Sequence, residues 1–386
     1  MNNVKLKMGM IGGGKDAFIG AVHRIAANID GQIELVCGAL SINPEVSLAS
    51  GRELFLSEKR IYGNYEEMII KESQRPLDER LDFITIVTPN FAHFAPAMMA
   101  LEYGFNVVIE KPIALSLSEA LQLKEKVQET GLTLCLTHTY SGYPMVKQAR
   151  NMVQNGEIGV IRKVIVQYPQ GWLSTLTEKE GNSGAAWRTD PAKSGKSGSM
   201  GDIGTHAAHL AEYITGLEIS EVCADLNIVV QGRGLDDDGN VLLKFNNGAN
   251  GVLIATQIAA GEENALEIKI YGEKGGLEWH QMEPNSLILK RQNEPIQIYR
   301  TGEKYLSTAA TYNTRVPAGH PEGYLEAFAN IYKNFAATLN AKKRDEEPSE
   351  LMLDFPTVEN GVRGMAFIDV VVQSANSDTK WTKFEY

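Results

Sequence analysis

The sequence predicts an α/β chain in two parts: a doubly wound parallel sheet over residues 1–138, then an α+β domain with an open, mostly antiparallel sheet over residues 139–386. Three observations carry this reading. Across the first third, short apolar runs alternate with helical patterns, the signature of a parallel sheet covered on both faces. The run Gly12-Gly13-Gly14 closes the first strand and opens the first helix. Beyond about residue 138, strand runs follow one another with few helices, joined by turns such as Asn246-Asn247-Gly248 and Glu273-Lys274-Gly275-Gly276. At 386 residues the chain also exceeds what one hydrophobic core usually organises.

In order, residues 7–11 form a strand that runs into the glycines, and residues 18–28 form a helix. Residues 33–39 make the second strand, 48–56 and 65–72 are helical, and 82–87 is the third strand, ended by Thr88-Pro89-Asn90. A helix over 91–103 leads to a strand at 106–109, and a helix over 118–130 to a strand at 133–136. In the second part a long strand spans 160–168, with further strands at 222–230, 239–245, 249–258, 265–271 and 276–279. Helices are expected at 323–339 and 358–375. Residues 173–199, rich in Gly, Ser, Thr and Lys, read as a long loop, and loops of that length inside compact domains are disordered or functional; its position before a helix favours function. Asp236-Asp237-Asp238-Gly239-Asn240 lacks the alternating spacing of a calcium loop and reads as a hairpin turn. No metal site is expected.

A net charge of −11 argues against a nucleic-acid-binding surface. The widely separated Cys37, Cys135 and Cys223 sit in apolar runs and lack zinc-ligand spacing, so they read as buried thiols in a reducing compartment. The opening Met1-Asn2-Asn3-Val4-Lys5-Leu6-Lys7 is too short in apolar run for a signal peptide, and no segment approaches a membrane span. A cytoplasmic protein is the expectation.

The chemistry-bearing residues fall at strand ends. Glycines at 12, 13 and 14 let the backbone approach a pyrophosphate at a helix amino terminus, with Ala17 in the third-glycine position of the dinucleotide fingerprint; the alternative is a tight turn without ligand. At the end of the second strand an acid normally binds the ribose hydroxyls. Ser41 stands there instead, without a following arginine for a 2′-phosphate, which leaves NAD and NADP both open. Pro89 and Asn90 end the third strand where such sheets bind ligands, with His93 in the next turn; Asn90 can also cap that helix. In Glu110-Lys111-Pro112 the lysine can point its ammonium at a substrate hydroxyl, and the proline can hold a cis peptide. Gly201-Asp202-Ile203-Gly204-Thr205-His206 sets a carboxylate and an imidazole four residues apart, one turn apart on a helix face. A hydroxyl between them would meet a proton acceptor and a charge that steadies the imidazolium.

The glycine loop, Glu110-Lys111-Pro112 and Gly201-Asp202-Ile203-Gly204-Thr205-His206, in that order and covering both halves, resemble the motifs of the glucose–fructose oxidoreductase/inositol dehydrogenase (Gfo/Idh/MocA) family. The resemblance implies a Rossmann domain followed by an open-faced sheet domain that commonly mediates dimers or tetramers. It implies a catalytic group of Lys111, Asp202 and His206, with Glu110 and Lys111 beside the cofactor. Two departures stand out: no acid at Ser41, and a longer glycine loop through Phe18-Ile19-Gly20.

Trp187-Arg188-Thr189-Asp190-Pro191 resembles a family segment near the active site, so Arg188 is a candidate for a substrate hydroxyl or cofactor phosphate, against a loop-anchoring salt bridge. Tyr140 and Trp172 are candidates for stacking on a sugar ring, against a core role. His209 reads as a structural neighbour of His206, and His320 as either a helix-entry residue or a substrate contact. The expected activity is hydride transfer between a secondary hydroxyl of a sugar, cyclitol or glycoside and NAD or NADP. Transient oxidation with a retained NAD, or a non-catalytic regulator, are the alternatives. His206 is the expected base, with Lys111 and Asp202 orienting and tuning.

Overall fold

The computed structural model describes residues 5–15 and 17–386; the signal-peptide reading of Met1–Lys7 falls partly, and Asp16 of the glycine loop wholly, outside the described residues. In chain order the first strands and helices are β1 (Leu6–Gly12), α1 (Phe18–Asn28), β2 (Ile33–Ala39), α2 (Pro44–Glu53), α3 (Tyr65–Ser73), β3 (Phe83–Val87) and α4 (Phe94–Glu102). They continue with β4 (Asn106–Ile109), α5 (Leu117–Thr130), β5 (Leu134–Leu136), α6 (Pro144–Gln154) and β6 (Ile161–Pro169). Two short helices, α7 (Ser183–Arg188) and α8 (Pro191–Ser194), precede α9 (Thr205–Thr215). Strands β7 (Ile219–Asn227), β8 (Asp238–Phe245), β9 (Asn250–Thr256), β10 (Glu267–Gly272), β11 (Gly276–His280), β12 (Ser286–Lys290) and β13 (Gln297–Arg300) follow. The chain ends with α10 (Thr308–Tyr312), α11 (Tyr324–Lys343), α12 (Val358–Ala375) and β14 (Thr382–Lys383).

These elements form two compact units, Met1–Thr139 with Leu325–Val362, and Tyr140–Tyr324 with Arg363–Tyr386. A single boundary at residue 138 therefore describes the chain incompletely: residues 325–362 return to the first unit. The reason is packing. Phe83 and Thr85, two apart and on one face of β3, meet α11: the Phe83 ring lies 5.1 Å from Phe335, and the Thr85 hydroxyl 3.3 Å from Tyr332. Helix periodicity reveals that α11 has an apolar face, but not which sheet it covers.

The first unit carries a five-stranded parallel sheet in the order β2-β1-β3-β4-β5. Strand order reverses between β1 and β3, where doubly wound sheets bind ligands at the strands' carboxyl ends. The second unit carries a nine-stranded sheet, β13-β12-β11-β10-β6-β9-β8-β7-β14, antiparallel except for the β6–β9 pair. Its strands alternate buried and part-exposed residues, as in β8 and β9, so one face meets α6 and α9 and the other is left by the unit's helices.

Several boundaries differ from expectation. Helix α2 starts at Pro44, capped by the Asn43 side chain on the Glu45 and Val46 amides, rather than at residue 48. Strand β7 begins at Ile219 and ends at Asn227, because the Asp237 carboxylate captures the Val229 and Val230 amides. The presumed hairpin turn at 236–240 is instead two buried carboxylates leading into β8. Helix α6 and the strands β12 and β13 were not anticipated. Cys37 and Cys135 are buried, whereas Cys223 is only half-buried, and all are free thiols. Among the described residues no helix is long and apolar enough to cross a membrane.

Candidate active site

The cofactor half belongs to the first unit. Gly12, at the end of β1, pairs with Val87 at the end of β3. Gly12 and Gly13 take φ of 79° and 71°, conformations open to glycine. A Cβ on Gly13 would stand 2.7 Å from Val87 Cγ2, and one on Gly14 2.7 Å from the Leu40 carbonyl. Gly20, in the first turn of α1, is tighter still: its Cβ would stand 2.4 Å from Gly13 Cα. The residue that permits close helix–strand packing is therefore Gly20 and not Ala17, which is an N-cap without a side-chain bond. The lengthened loop displaces that role by one turn.

A cleft of about 750 Å³ opens over this loop, lined by the three glycines, Ser41, Pro89 and Phe91 among others. Its size and glycine floor fit a dinucleotide. Helix α3 adds Tyr65 and Glu66 to the lining, so a carboxylate does reach the cleft, from a segment no spacing rule points to. Lys15, also on the lining, is paired with Glu53 at 3.0 Å. Asn90 is buried in the turn between Pro89 and Phe91. His93 is fully buried, with Nδ1 2.7 Å from the Pro112 carbonyl and Nε2 2.8 Å from that of Thr88. Both ring nitrogens thus face backbone carbonyls, and His93 ties β3's exit to the Lys111 turn. Burial holds its pKa below the usual value, against those two carbonyls.

Glu110 is likewise a support. Its carboxylate meets His23 Nε2 at 2.9 Å, the Thr137 hydroxyl, and the backbone N–H of Lys111 at 3.2 Å. Burial alone would raise its pKa, but the bond and charge of His23, the Thr137 hydroxyl and the Lys111 charge bring it down to about 2. Lys111 is half-buried and its bond to Pro112 is cis.

The polar half belongs to the second unit. Met200–Gly204 forms a wide, π-type turn in which the Thr205 N–H reaches back to the Met200 carbonyl, and α9 continues from it. The expected regular helix from Gly201 is thus widened at its first turn, a feature frequent at functional sites. Asp236, buried, accepts from Ser197 Oγ at 2.8 Å, Gly198 N at 2.8 Å and Met200 N at 2.9 Å, anchoring that turn. Burial pushes its carboxyl above the usual aspartate range despite those donors.

Asp202 Oδ2 accepts from Gln257 Nε2 at 2.9 Å and lies 3.6 Å from Arg188 Nε. Arg188 therefore stands with Asp202, its guanidinium 4.2 Å from the Trp187 ring and 6.0 Å from that of Trp172. The His206 ring, buried, packs edge-on to Tyr140 at 4.9 Å and lies 6.4 Å from Tyr168. Between these groups runs a polar array. Gln257 donates to Gln170 at 3.3 Å, Gln170 to Asn264 at 2.6 Å, Tyr168 to Asn264 at 2.6 Å, Asn264 to the Tyr140 hydroxyl at 3.2 Å, and Trp172 to Gln170 at 3.0 Å. The two tyrosine hydroxyls also bond one another. Burial pushes the Tyr168 phenol well up, so it stays a neutral donor at working pH. Asp236, Gln257, Gln170, Asn264 and Tyr168 were not singled out from sequence, because amides and hydroxyls on unrelated strands share no spacing. His209 stacks on Tyr213 at 5.9 Å. His320 stands on an exposed turn, with Nδ1 3.1 Å from the Pro317 carbonyl, and α11 begins only at Tyr324. It neither opens the helix nor is held by it.

Residues 6–138 match a family model described as oxidoreductase family, NAD-binding Rossmann fold, and residues 146–278 match the GFO/IDH/MocA C-terminal domain. An uncharacterized oxidoreductase of Bacillus subtilis is 34% identical over 383 residues, covering 98% of this chain and 97% of that one. The crystal structure of an inositol dehydrogenase homologue from Azotobacter vinelandii complexed with NAD+ has a TM-score of 0.94 at 33% identity, covering 99% of this chain and 100% of that one. A second structure of an inositol dehydrogenase homologue from that organism, with NADH and myo-inositol, gives 0.90 at 32% identity, covering 99% of this chain and 100% of that one.

Proposed function

Because this chain belongs to the Gfo/Idh/MocA family of NAD-binding oxidoreductases, we propose that it oxidises a secondary hydroxyl of a cyclitol or sugar. The observation that carries the substrate class is the part-buried array of amides and tyrosine hydroxyls linking the partners of Asp202 to those of His206. Alternating donors and acceptors of that kind suit the several hydroxyls of a polyol. The inositol dehydrogenase homologue complexed with myo-inositol supports the same class.

A nicotinamide cofactor held over Gly12, Gly13 and Gly14 would supply the hydride acceptor for the carbon being oxidised. His206 takes the hydroxyl proton, since an imidazole titrates near neutrality. Lys111 would supply the ammonium that favours the developing alkoxide. Asp202, held by Gln257 and Arg188, binds a neighbouring hydroxyl and supports the charge on His206. Trp172 and Tyr140 supply ring surfaces for the sugar. The glycine loop would hold the pyrophosphate of the cofactor, and Ser41 and Glu66 would be the residues for its adenosine ribose. A carboxylate there repels a 2′-phosphate, and the cleft's Lys15 is already paired, which favours NAD over NADP.

The part-exposed sheet face, with Ile165, Leu242, Val252, Ile254 and Ile288 among its residues, supports a homo-oligomer. The free thiols support a reducing, cytoplasmic setting. The deciding experiment is reduction of NAD and NADP by purified protein against inositols, hexoses and anhydrosugars. Steady NADH release with a cyclitol or sugar is the expected result; no reduction of either cofactor by any polyol overturns the reading.

A further inference from the structure

Four buried groups of the first unit lie in one line behind Lys111. The Thr85 hydroxyl is 3.3 Å from the Tyr332 hydroxyl, which is 2.6 Å from His23 Nδ1, and His23 Nε2 is 2.9 Å from Glu110 Oε1. The other carboxylate oxygen of Glu110 accepts the Lys111 N–H at 3.2 Å. His23 has no exposed surface, and its ring is enclosed by Phe328 at 4.6 Å and Tyr332 at 5.8 Å.

The direction of each bond follows from chemistry. A carboxylate held near pKa 2 is ionised and can only accept, so His23 Nε2 must carry the proton. Where the ring carries that proton alone, Nδ1 accepts and Tyr332 donates to it. The phenol's one hydrogen is thereby used, so Thr85 donates to Tyr332. In that arrangement every hydrogen of the series points toward Glu110.

We propose that His23 and Tyr332 are positioning residues for Lys111, acting through Glu110 as a hydrogen-bond relay from α11 to the Lys111 turn. Glu110, pinned on one oxygen by His23, fixes with the other the peptide plane from which the Lys111 side chain departs. The inference rests on the dehydrogenase reading for Lys111's role, whereas the relay itself does not.

The test has parts with and without turnover. In 15N-labelled wild-type protein, the His23 ring is expected as the Nε2–H tautomer; an Nδ1–H ring overturns the relay. Tyr332→Phe and His23→Leu should lower kcat about tenfold or more, a loss expected from a misplaced group, while the NADH dissociation constant stays within about threefold. His23→Gln, which keeps one donor and one acceptor and has no titratable proton, should recover most of that loss. Unchanged kcat in both variants overturns the proposal, as does a parallel loss of NADH binding, which would place the relay's effect at the cofactor instead. Should His23→Leu not fold, Tyr332→Phe and the tautomer decide. Where wild type oxidises no polyol, the dehydrogenase reading fails by itself. The rate of Lys111 acylation, read by mass spectrometry in wild type and Tyr332→Phe, then settles the positioning: a changed rate supports it and an equal rate overturns it.

Discussion

At the scale of single residues, the motif-borne groups of the proposed site were legible, whereas the neutral amides and the carboxylates of Glu66 and Asp236 were not. Lys111, Asp202 and His206 stand in short motifs, so their types and spacing show in one dimension. Gln170 and Gln257 become neighbours only because β6 and β9 pair in parallel with Pro169 beside Thr256, a register that no local pattern encodes. His206→Ala should cut turnover about a hundredfold or more, the usual loss for a general base, with cofactor affinity retained; steady-state kinetics and NADH titration read it. Glu66→Lys should shift the ratio of kcat/KM for NAD over NADP by about tenfold or more toward NADP, since one carboxylate is exchanged for one phosphate-binding cation. Equal ratios in wild type and variant would refute the assignment of Glu66 to the ribose. Glu110 also predicts a pH dependence. Its pKa falls from 4.5 to about 2 on folding, so its contribution is fully present above the unfolded value and is lost as pH drops toward 2. The melting-temperature gap between wild type and Glu110→Gln should therefore shrink as pH falls through that window.

At the scale of elements, strands and helices with strong periodicity lie close to where the sequence puts them, while ends set by side-chain caps do not. Helix α1, strands β2 and β4, and helix α12 coincide with the expected spans. Strand β7 stops short because Asp237, beside the Asn227–Asp238 pair on the neighbouring strand's approach, takes the Val229 and Val230 amides. The wide turn ahead of α9 has a similar origin: its amides are held by Asp236. Replacing Asp236 with Ala leaves the Gly198 and Met200 amides buried without an acceptor, a cost of about 2–5 kcal/mol, which denaturant unfolding can measure. Asp236→Asn keeps one acceptor oxygen and should lose less. The run of three aspartates before an alternating strand reads in sequence as a hairpin turn. Burial, which sequence does not state, makes Asp236 and Asp237 acceptors for loop amides instead.

At the scale of the whole molecule, the discontinuous first unit is the main departure from a linear reading. Phe328, Tyr332 and Phe335 of α11 are buried, and they close over His23 and Phe83. A fragment of residues 1–139 should therefore lack near-ultraviolet circular dichroism and bind a hydrophobic dye. The same fragment joined through a short linker to residues 325–362 should regain fixed tertiary signals. Residues of one sequence segment thus pack into a unit built mostly from another, as Tyr332 does against His23, the partner of Glu110. Sequence by itself determined the fold class, the cofactor loop and the charged groups of the proposed chemistry, because periodicity and motif spacing are local properties of the chain. Only the tertiary structure decided that Gly20 replaces Ala17, that His93 and Glu110 brace the Lys111 turn, and that neutral amides join Asp202 to the rings around His206. Those outcomes depend on which distant surfaces meet, and burial and register, not local pattern, select them.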